Sequence, residues 1–229
     1  MKFHAMLGLV VLFCATSGFG NTIIADWTFE TSHGSSAGPF SPEIGSGSAF
    51  AHHSSTTATY PTASGNGSSY ALSSTAWAVG DYYQFSVSTL GLDDINVSFD
   101  QNSGTTTGPR DFNFQYSIDG TNFTTFSSYS VFSTTWSSTN RKSGSTITEN
   151  LSSVTTLNNK PTIYIRLTDR DTKSVNNQTV SSTTPDLVDN VIISGDVVAV
   201  PLPSAAWAGI VLSGLLGIAR HRRRSAWIC

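Results

Sequence analysis

The stretch Asp111-Phe-Asn-Phe-Gln-Tyr-Ser-Ile-Asp-Gly-Thr-Asn-Phe123 decides the expected fold. From Phe112 to Ile118, apolar and polar residues alternate with the period of two that is typical of a half-buried β-strand. The strand leads into Asp119-Gly120, a pair that favours a tight type I′ turn because both residues tolerate positive φ. The stretch therefore predicts a β-hairpin whose second strand starts near Phe123.

The same alternation recurs before and after this hairpin. It predicts further strands at 25–30, 82–87, 95–99, 163–167 and 187–194. Strands 82–87 and 95–99 are expected to pair with each other, because only a short turn-prone link joins them. Within 163–167 the apolar residues face one way, whereas Tyr164 and Arg166 face the other.

Low-complexity segments separate the predicted strands. Residues 34–67 and 127–150 are rich in Ser, Thr, Gly and Asn, and they are expected to be loops. No part of the middle of the chain shows a helical period. Many short strands without helices predict an all-β chain, an antiparallel β-sandwich with a jelly-roll-like arrangement as the first choice.

Residues 21–196 are expected to form one domain, since their number suits a single sizeable core. This segment contains all 15 acidic residues but only seven of the 12 Lys and Arg residues, so its formal charge is −8. An acidic surface repels phosphate backbones, which argues against nucleic acid as a partner. The two cysteines, Cys14 and Cys229, lie outside the segment, so its stability must come from a β-core rather than from disulfides.

The first 20 residues have the pattern of a secretory signal peptide. Lys2 precedes an apolar stretch at 6–15, and small residues stand at Gly18 and Gly20, where a signal peptidase requires them. Cleavage is therefore predicted after Gly20. Ten apolar residues are too few for a stable membrane span, which makes a retained membrane helix the weaker alternative.

The end of the chain has three parts in a fixed order. They are the Pro-x-Pro element Val200-Pro201-Leu202-Pro203, the apolar run 205–219, and the basic cluster Arg220, Arg222, Arg223 and Arg224. As a helix the 15-residue run would be about 22 Å long against a hydrocarbon core of about 30 Å, so it predicts a marginal single transmembrane helix. The arginines would hold its far end in the cytoplasm. Residues 197–204 are predicted to be a linker with the sorting motif, and 220–229 a basic cytoplasmic tail.

This tail resembles the PEP-CTERM sorting signal of Gram-negative bacteria, in the form where Leu202 stands in place of the usual Glu. The resemblance implies processing by signal peptidase and exosortase, and export through the inner membrane. The chain would be anchored transiently by its C-terminus and then reach the cell surface or the extracellular space. The implied role is non-catalytic association with exopolysaccharide or a biofilm matrix. His221 and the residues 225–229 depart from the family pattern.

Part of the middle segment resembles exported bacterial β-sandwich domains of galactose-binding-like type. The resemblance rests on Gly108-Pro-Arg110, Tyr116-Ser-Ile-Asp-Gly120, Ile163-Tyr-Ile-Arg-Leu167 and Val188-Asp-Asn-Val-Ile-Ile-Ser-Gly195. These motifs are structural, so the resemblance implies a fold much more than an activity.

Three aromatic residues next to polar strands are candidate carbohydrate contacts, namely Trp77, Tyr82 and Trp136. Flat rings stack on the apolar faces of sugars, while their polar tips form hydrogen bonds outward. The alternative, which is favoured for any single Trp in a β-sandwich, is that these rings belong to the core.

No catalytic residue, metal site or cofactor is predicted. His33, His52 and His53 are expected in a solvated loop, since their spacing matches no metal-binding motif. A structural calcium ion stays open as an alternative, because acidic side chains supply the oxygen ligands that calcium prefers. The candidates are Asp93 with Asp94, Asp169 with Asp171, and Asp26 and Glu30 with Asp189, which approach each other if the first and last strands pair.

Two other functions also stay open. A secreted polysaccharide-acting enzyme would need two carboxylates facing each other across about 5 to 9.5 Å, a geometry that a sequence does not reveal. A plain structural domain, anchored in the membrane by its C-terminus, would need no ligand at all.

Overall fold

The computed structural model describes residues 20–31 and 36–198. The predicted sorting motif, transmembrane helix and basic tail lie outside these residues, as does the predicted signal peptide up to residue 19. In the described part of the chain, no helix is both long enough and apolar enough to cross a membrane.

Eleven β-strands build the described part of the chain. They are β1 (Thr22–Trp27), β2 (Ile44–Gly45), β3 (Ser48–His52), β4 (Leu72–Ser74), β5 (Tyr82–Val87), β6 (Leu92–Ser103), β7 (Asp111–Ser117), β8 (Thr124–Ser130), β9 (Thr146–Asn150), β10 (Ile163–Asp169) and β11 (Asp186–Val197). Two single 3-10 turns, Ser143–Ser145 and Thr155–Leu157, are the helical segments among these residues.

The strands form two antiparallel sheets. One sheet has six strands, in the order β2-β1-β11-β6-β9 with β4 also paired to β11, and the other has five, in the order β3-β5-β10-β7-β8. Buried side chains from both sheets form one hydrophobic cluster. The predicted all-β, antiparallel β-sandwich is therefore confirmed. The first and last strands pair with each other, with Ala25 opposite Ile193.

The core lies between the sheets because each strand turns its alternate apolar residues inward. In β10, for example, Ile163, Ile165 and Leu167 are at most 1% exposed. Aromatic rings connect the two layers, and Trp27 of β1 meets Phe85 of β5 edge-on with 5.3 Å between the ring centroids. Full burial of an aromatic or aliphatic side chain of this size contributes roughly 1.5–3 kcal/mol to folding.

The predicted pairing of strand 82–87 with strand 95–99 is wrong. β5 pairs with β3 and β10, whereas β6 pairs with β9 and β11 in the other sheet. The link between them crosses from one sheet to the other and is held by Thr89, whose hydroxyl donates to the backbone carbonyl of Leu157 at 2.6 Å. The two strands turn their apolar faces toward the same core from opposite sides. Two strands paired in one sheet and two strands in facing sheets have the same alternation of apolar and polar residues, so the sequence does not distinguish them.

The predicted loops 34–67 and 127–150 contain β2, β3, β9 and most of β8, so the loop prediction is wrong there. Each of these four strands lies at an edge of its sheet. An edge strand has a neighbour on one side only and buries fewer side chains, so Ser and Thr can occupy it. Its apolar alternation is correspondingly weak.

The predicted hairpin is confirmed, since β7 pairs with β8. Its connection, however, spans residues 118–123 rather than the two residues of a type I′ turn. The carboxylate of Asp119 accepts hydrogen bonds from the backbone N–H groups of Thr121 and Asn122, both at 2.8 Å. Gly120 supplies the positive φ, +73°, that the wider turn requires.

The first strand begins and ends earlier than predicted, at Thr22–Trp27 instead of 25–30. Phe29 is 1% exposed and belongs to the core, although it lies after the end of β1. Its φ of 55° nevertheless breaks the extended backbone after Trp27.

Candidate functional site

Two of the three aromatic residues predicted to contact carbohydrate are buried. Trp77 is 6% exposed and Trp136 is 7% exposed, so the predicted exposure of both rings is wrong. Trp77 packs edge-on against Tyr83 and Phe112, with ring centroids 4.9 and 5.6 Å away. Its Nε1 donates to the backbone carbonyl of Ser74 at 2.8 Å, which satisfies the one polar group of the ring.

Trp136 lies in a smaller cluster with Ala71 and Leu187. Its Nε1 donates to Ser145 Oγ at 3.0 Å. A buried indole with a satisfied N–H is a core residue, as the alternative interpretation had it. Neither ring therefore has an exposed face on which a sugar could stack.

Tyr82 alone of the three lies on a surface. It stands on β5 and is half-buried, between core residues that point to the opposite side of the sheet. Its surroundings are the outer face of the five-stranded sheet, meaning the side chains of β3, β5, β10, β7 and β8 that alternate with core residues. This outer face is the candidate functional site.

Strand register arranges the outer face in cross-strand rows. The first row takes one residue from each strand, in the order Phe50, Gln84, Arg166, Gln115 and Thr125. The second row runs parallel to it, in the order His52, Tyr82, Thr168, Asn113 and Ser128. Amide, guanidinium, hydroxyl and aromatic groups thus lie side by side across the whole sheet.

A stack of planar groups runs across this face. The ring of His52 stacks on the ring of Tyr82, with 4.8 Å between centroids and 21° between planes. The guanidinium carbon of Arg166 lies 3.7 Å from the centroid of Tyr82 and 3.6 Å from that of Phe123. A planar guanidinium has two faces, so the two rings cover both. Because His52 and Arg166 contact the Tyr82 ring, Tyr82 offers its edge and hydroxyl rather than a ring face.

Hydrogen bonds fix Arg166 within the stack. Its Nε donates to Gln84 Oε1 at 2.7 Å, and its Nη2 donates to the hydroxyl of Tyr82 at 3.0 Å. Burial lowers the pKa of Arg166, but an arginine stays protonated at physiological pH. The face therefore carries one fixed positive charge at its centre.

The neighbouring strands continue this network. Thr168 Oγ1 donates to Gln115 Oε1 at 2.8 Å, and Gln115 Nε2 donates to Thr125 Oγ1 at 3.1 Å. Ser128 Oγ donates to Asn113 Oδ1 at 2.7 Å. These contacts set the orientation of both amides, so their remaining atoms point in fixed directions.

Three donors of the outer face have no acceptor among the described residues. They are the hydroxyl hydrogen of Tyr82, Nδ2 of Asn113 and Nη1 of Arg166. All three belong to side chains whose other polar atoms are held by neighbours. The face thus presents preorganised donors to whatever binds there.

The histidines differ from the prediction of a solvated loop. His52 ends β3 and is exposed, in the stack described above. The side chain of His53 is 1% exposed, and its Nδ1 lies 3.1 Å from Asp81 Oδ2. Burial lowers the pKa of His53, which favours the neutral form of the ring. His33 lies outside the described residues, and within them no group of three His, Cys, Asp or Glu side chains could hold a metal ion.

Two of the acidic residues proposed for calcium, Asp189 and Glu30, accept hydrogen bonds from protein donors. Asp189 is fully buried and accepts hydrogen bonds from the backbone N–H of Asn66 (2.7 Å) and from Ser68 Oγ (2.5 Å). Burial raises the pKa of Asp189 to about 7. Glu30 accepts from the backbone N–H of Tyr70 at 2.8 Å. A calcium ion at these residues stays a prediction.

A carboxylate pair lines a small cleft. Asp169 and Asp171 border a cavity of about 280 Å³ together with Trp77. Asp169 is 1% exposed, its Oδ2 has no hydrogen-bond partner among the described residues, and burial raises its pKa to about 7. Asp171 lies 3.8 Å from Lys173 Nζ. Asp169 is therefore a buried neutral acid at mildly acidic pH, in the wall of the cleft.

No protein-family model and no curated protein matches this chain. Solved structures that resemble it include the N-terminal CBM22-1–CBM22-2 tandem domain of Xyn10C from Paenibacillus barcinonensis (TM-score 0.46, 13% identity, 82% of this chain and 49% of that one). The chain thus spans about half the length of that tandem domain.

Two further structures show a similar degree of likeness. One is the family 11 carbohydrate-binding module from Clostridium thermocellum, solved with a β-1,3-1,4-mixed-linked tetrasaccharide (TM-score 0.40, 17% identity, 80% of this chain and 100% of that one). The other is the K3 cleaved adhesin domain of Lys-gingipain from Porphyromonas gingivalis (TM-score 0.42, 11% identity, 75% of this chain and 98% of that one).

Proposed function

We propose that this chain is an exported, non-catalytic glycan-binding protein, and that the outer face of its five-stranded sheet is the binding surface. The observation that supports the proposal is the row of Phe50, Gln84, Arg166, Gln115 and Thr125, which crosses every strand of that sheet. Side chains that are already hydrogen-bonded to one another lose little entropy when a ligand binds them.

The chemistry of the row suits a polysaccharide. Five strands spaced at about 4.8 Å make a face roughly 19 Å wide, long enough for several sugar units. Sugar hydroxyls would accept from Asn113 Nδ2, Arg166 Nη1 and the Tyr82 hydroxyl. The apolar C–H faces of a sugar would contact rings at the ends of the stack, His52 and Phe123.

Affinity electrophoresis of the full chain through gels that contain neutral polysaccharides tests this proposal. We expect a β-glucan, galactan or xylan gel to retard the wild type. Arg166→Ala and Asn113→Ala should each weaken the association constant about five- to tenfold, since each removes a hydrogen bond to the sugar worth roughly 1–1.5 kcal/mol.

Thr148→Ala is the matched control for these variants. Thr148 is exposed on β9, in the other sheet, so its loss should leave migration unchanged. Retardation that persists in both outer-face variants, with their thermal midpoints intact, would place binding elsewhere on the molecule.

We also propose that the sandwich is of the galactose-binding-like, jelly-roll type. We further propose that the tail sorts the chain as its PEP-CTERM resemblance implies. The support for sorting is the order of the Pro201 and Pro203 element, the apolar run and the arginine cluster. In the native host, mass spectrometry of the mature protein should find a C-terminus near Pro203, cut by exosortase. The variant with Pro201 and Pro203 changed to Ala should accumulate uncut in the inner membrane.

A mature wild-type protein that still carries Trp227 and Cys229 would contradict sorting. The tail would then be a permanent membrane anchor of the domain. The glycan-binding proposal does not depend on this result, because the outer face lies wholly within the described residues.

A further inference from the structure

A second surface lies on the connection from β8 to β9, which passes from the edge of one sheet to the edge of the other. An open cleft of about 560 Å³ is bordered there by Phe132 and Thr134 on one side and by residues 140–145 on the other. This loop cleft shares no residue with the outer face of the five-stranded sheet.

Phe132 is an exposed ring on a fixed backbone. It is 69% exposed. Its backbone carbonyl accepts from the N–H of Ser103 at 3.0 Å, and the backbone of Thr134 exchanges two hydrogen bonds with the side chain of Asn102, at 2.8 and 3.0 Å. Single exposed apolar residues are common on protein surfaces, and what distinguishes Phe132 is that it borders the loop cleft opposite two basic residues.

The opposite wall carries two cations. Arg141 Nε and Nη2 donate to Asp100 at 2.9 and 3.0 Å, which leaves Nη1 without an acceptor among the described residues. Lys142 is exposed and forms no ion pair within the same part of the chain. No acidic side chain of the described residues lines the cleft.

A buried polar network holds this cationic wall in place. Asn66 is 1% exposed, and its side chain accepts from the backbone N–H of Lys142 (2.6 Å) and donates to the backbone carbonyl of the same residue (3.1 Å). Asn66 Nδ2 also donates to Asp100 Oδ2 at 2.9 Å, and Asn190 Nδ2 donates to the same oxygen at 2.9 Å. The network thus ties residues 141 and 142 to the interior of the six-stranded sheet.

We propose that the loop cleft binds a carboxylate-bearing sugar unit of an acidic polysaccharide. The ring of Phe132 would stack on the apolar face of the sugar, and Lys142 Nζ with Arg141 Nη1 would pair with its carboxylate. Charge complementarity supports this occupant, because Lys142 forms no ion pair among the described residues and Arg141, whose charge Asp100 offsets, still has Nη1 free to donate, in a segment whose formal charge is −8. The inference is independent of the outer face and adds a second site.

Binding of polygalacturonate and of alginate to the full chain, measured by calorimetry in calcium-free buffer, tests the proposal. The wild type should bind at least one of them, and binding should weaken as sodium chloride rises from 50 to 500 mM. Phe132→Ala and Lys142→Gln should each lower the affinity about tenfold, and Lys142→Gln should also flatten the salt dependence. Arg141 is not substituted, because its removal would leave the buried carboxylate of Asp100 without its cationic partner.

Matched controls come from elsewhere on the surface. Leu90→Ala is the control for Phe132→Ala, because Leu90 is also an exposed apolar residue, at 60%. Lys160→Gln is the control for Lys142→Gln. Both should bind as the wild type does, as should the outer-face variant Asn113→Ala. The proposal is overturned if the wild type binds neither acidic polymer. It is also overturned if Phe132→Ala and Lys142→Gln bind the polymer with the affinity of the wild type, or if the wild type binds duplex DNA more tightly than both polymers. Retention on neutral polysaccharide is measured separately, so a failure here leaves the outer-face result intact.

Discussion

Replacing Trp77 with alanine is expected to lower the free energy of unfolding by about 3–5 kcal/mol, the range found when a core tryptophan or phenylalanine is truncated. The ring is 6% exposed and packs against Tyr83, Phe112 and His53. Domains of this size are stable by only about 5–15 kcal/mol, so the loss is a large share of the total. Denaturant unfolding followed by circular dichroism measures it.

Tyr82→Ala is the matched control, because Tyr82 lies on the outer face of the next strand and not in the core. We expect it to cost about 1 kcal/mol, for the lost contact with Arg166, and to weaken glycan retention. The two variants should therefore separate stability from binding. If Trp77→Ala unfolds at the wild-type midpoint yet loses glycan binding, the assignment of Trp77 to the core is wrong.

Asp169→Asn is expected to stabilise the protein at pH 8 and to have little effect at pH 4.5. Burial raises the pKa of Asp169 to about 7, whereas an unfolded aspartate titrates near 3.9. Between these values the folded state holds a proton that the unfolded state releases. The stability from this group is thus full below about pH 4 and is lost as pH rises to 7, on the order of 4 kcal/mol in all.

Unfolding free energies at pH 4.5, 6 and 8 measure this effect. The wild type should lose stability across that range, and Asp169→Asn should lose less. Asp119→Asn is the control of opposite sign, since hydrogen bonds from Asn122 and Thr121 lower the pKa of Asp119, and its stabilisation is present above about pH 4. Identical pH slopes for the wild type and Asp169→Asn would show that Asp169 is charged in the folded protein.

Central strands were predictable from sequence because they bury every second side chain in the core, which gives a regular alternation of apolar and polar residues. The strand predicted at 82–87 has the observed bounds of β5, and the predicted inward residues of 163–167 are buried in β10. Three edge strands, β2, β3 and β9, were missed, because one unpaired side and a Ser/Thr composition leave almost no periodic signal, whereas β8 was predicted through its hairpin with β7. Sheet membership was also missed, since alternation does not say from which side a strand faces the core.

The candidate site was predictable only in part. The alternation that turns Tyr83 and Phe85 inward also places Tyr82 outward, and the pattern of β10 places Arg166 on the outer face. What brings Arg166 beside Gln84 and Gln115 is strand register, which depends on which strands pair. The sequence gives no such pairing. Trp77 and Trp136 were misjudged because each lies in an irregular segment that folds back over the core, where no period applies.

Hydroxyl-radical footprinting of the full chain, with and without the polysaccharide that retards it, tests the outer face most directly. This measurement reports the solvent exposure of individual side chains by mass spectrometry. The account predicts that bound neutral polysaccharide protects His52, Tyr82 and Phe123, while Phe132 and Leu90 are oxidised as before. Protection confined to Phe132 or to the six-stranded sheet, with Tyr82 and Phe123 unchanged, would contradict it.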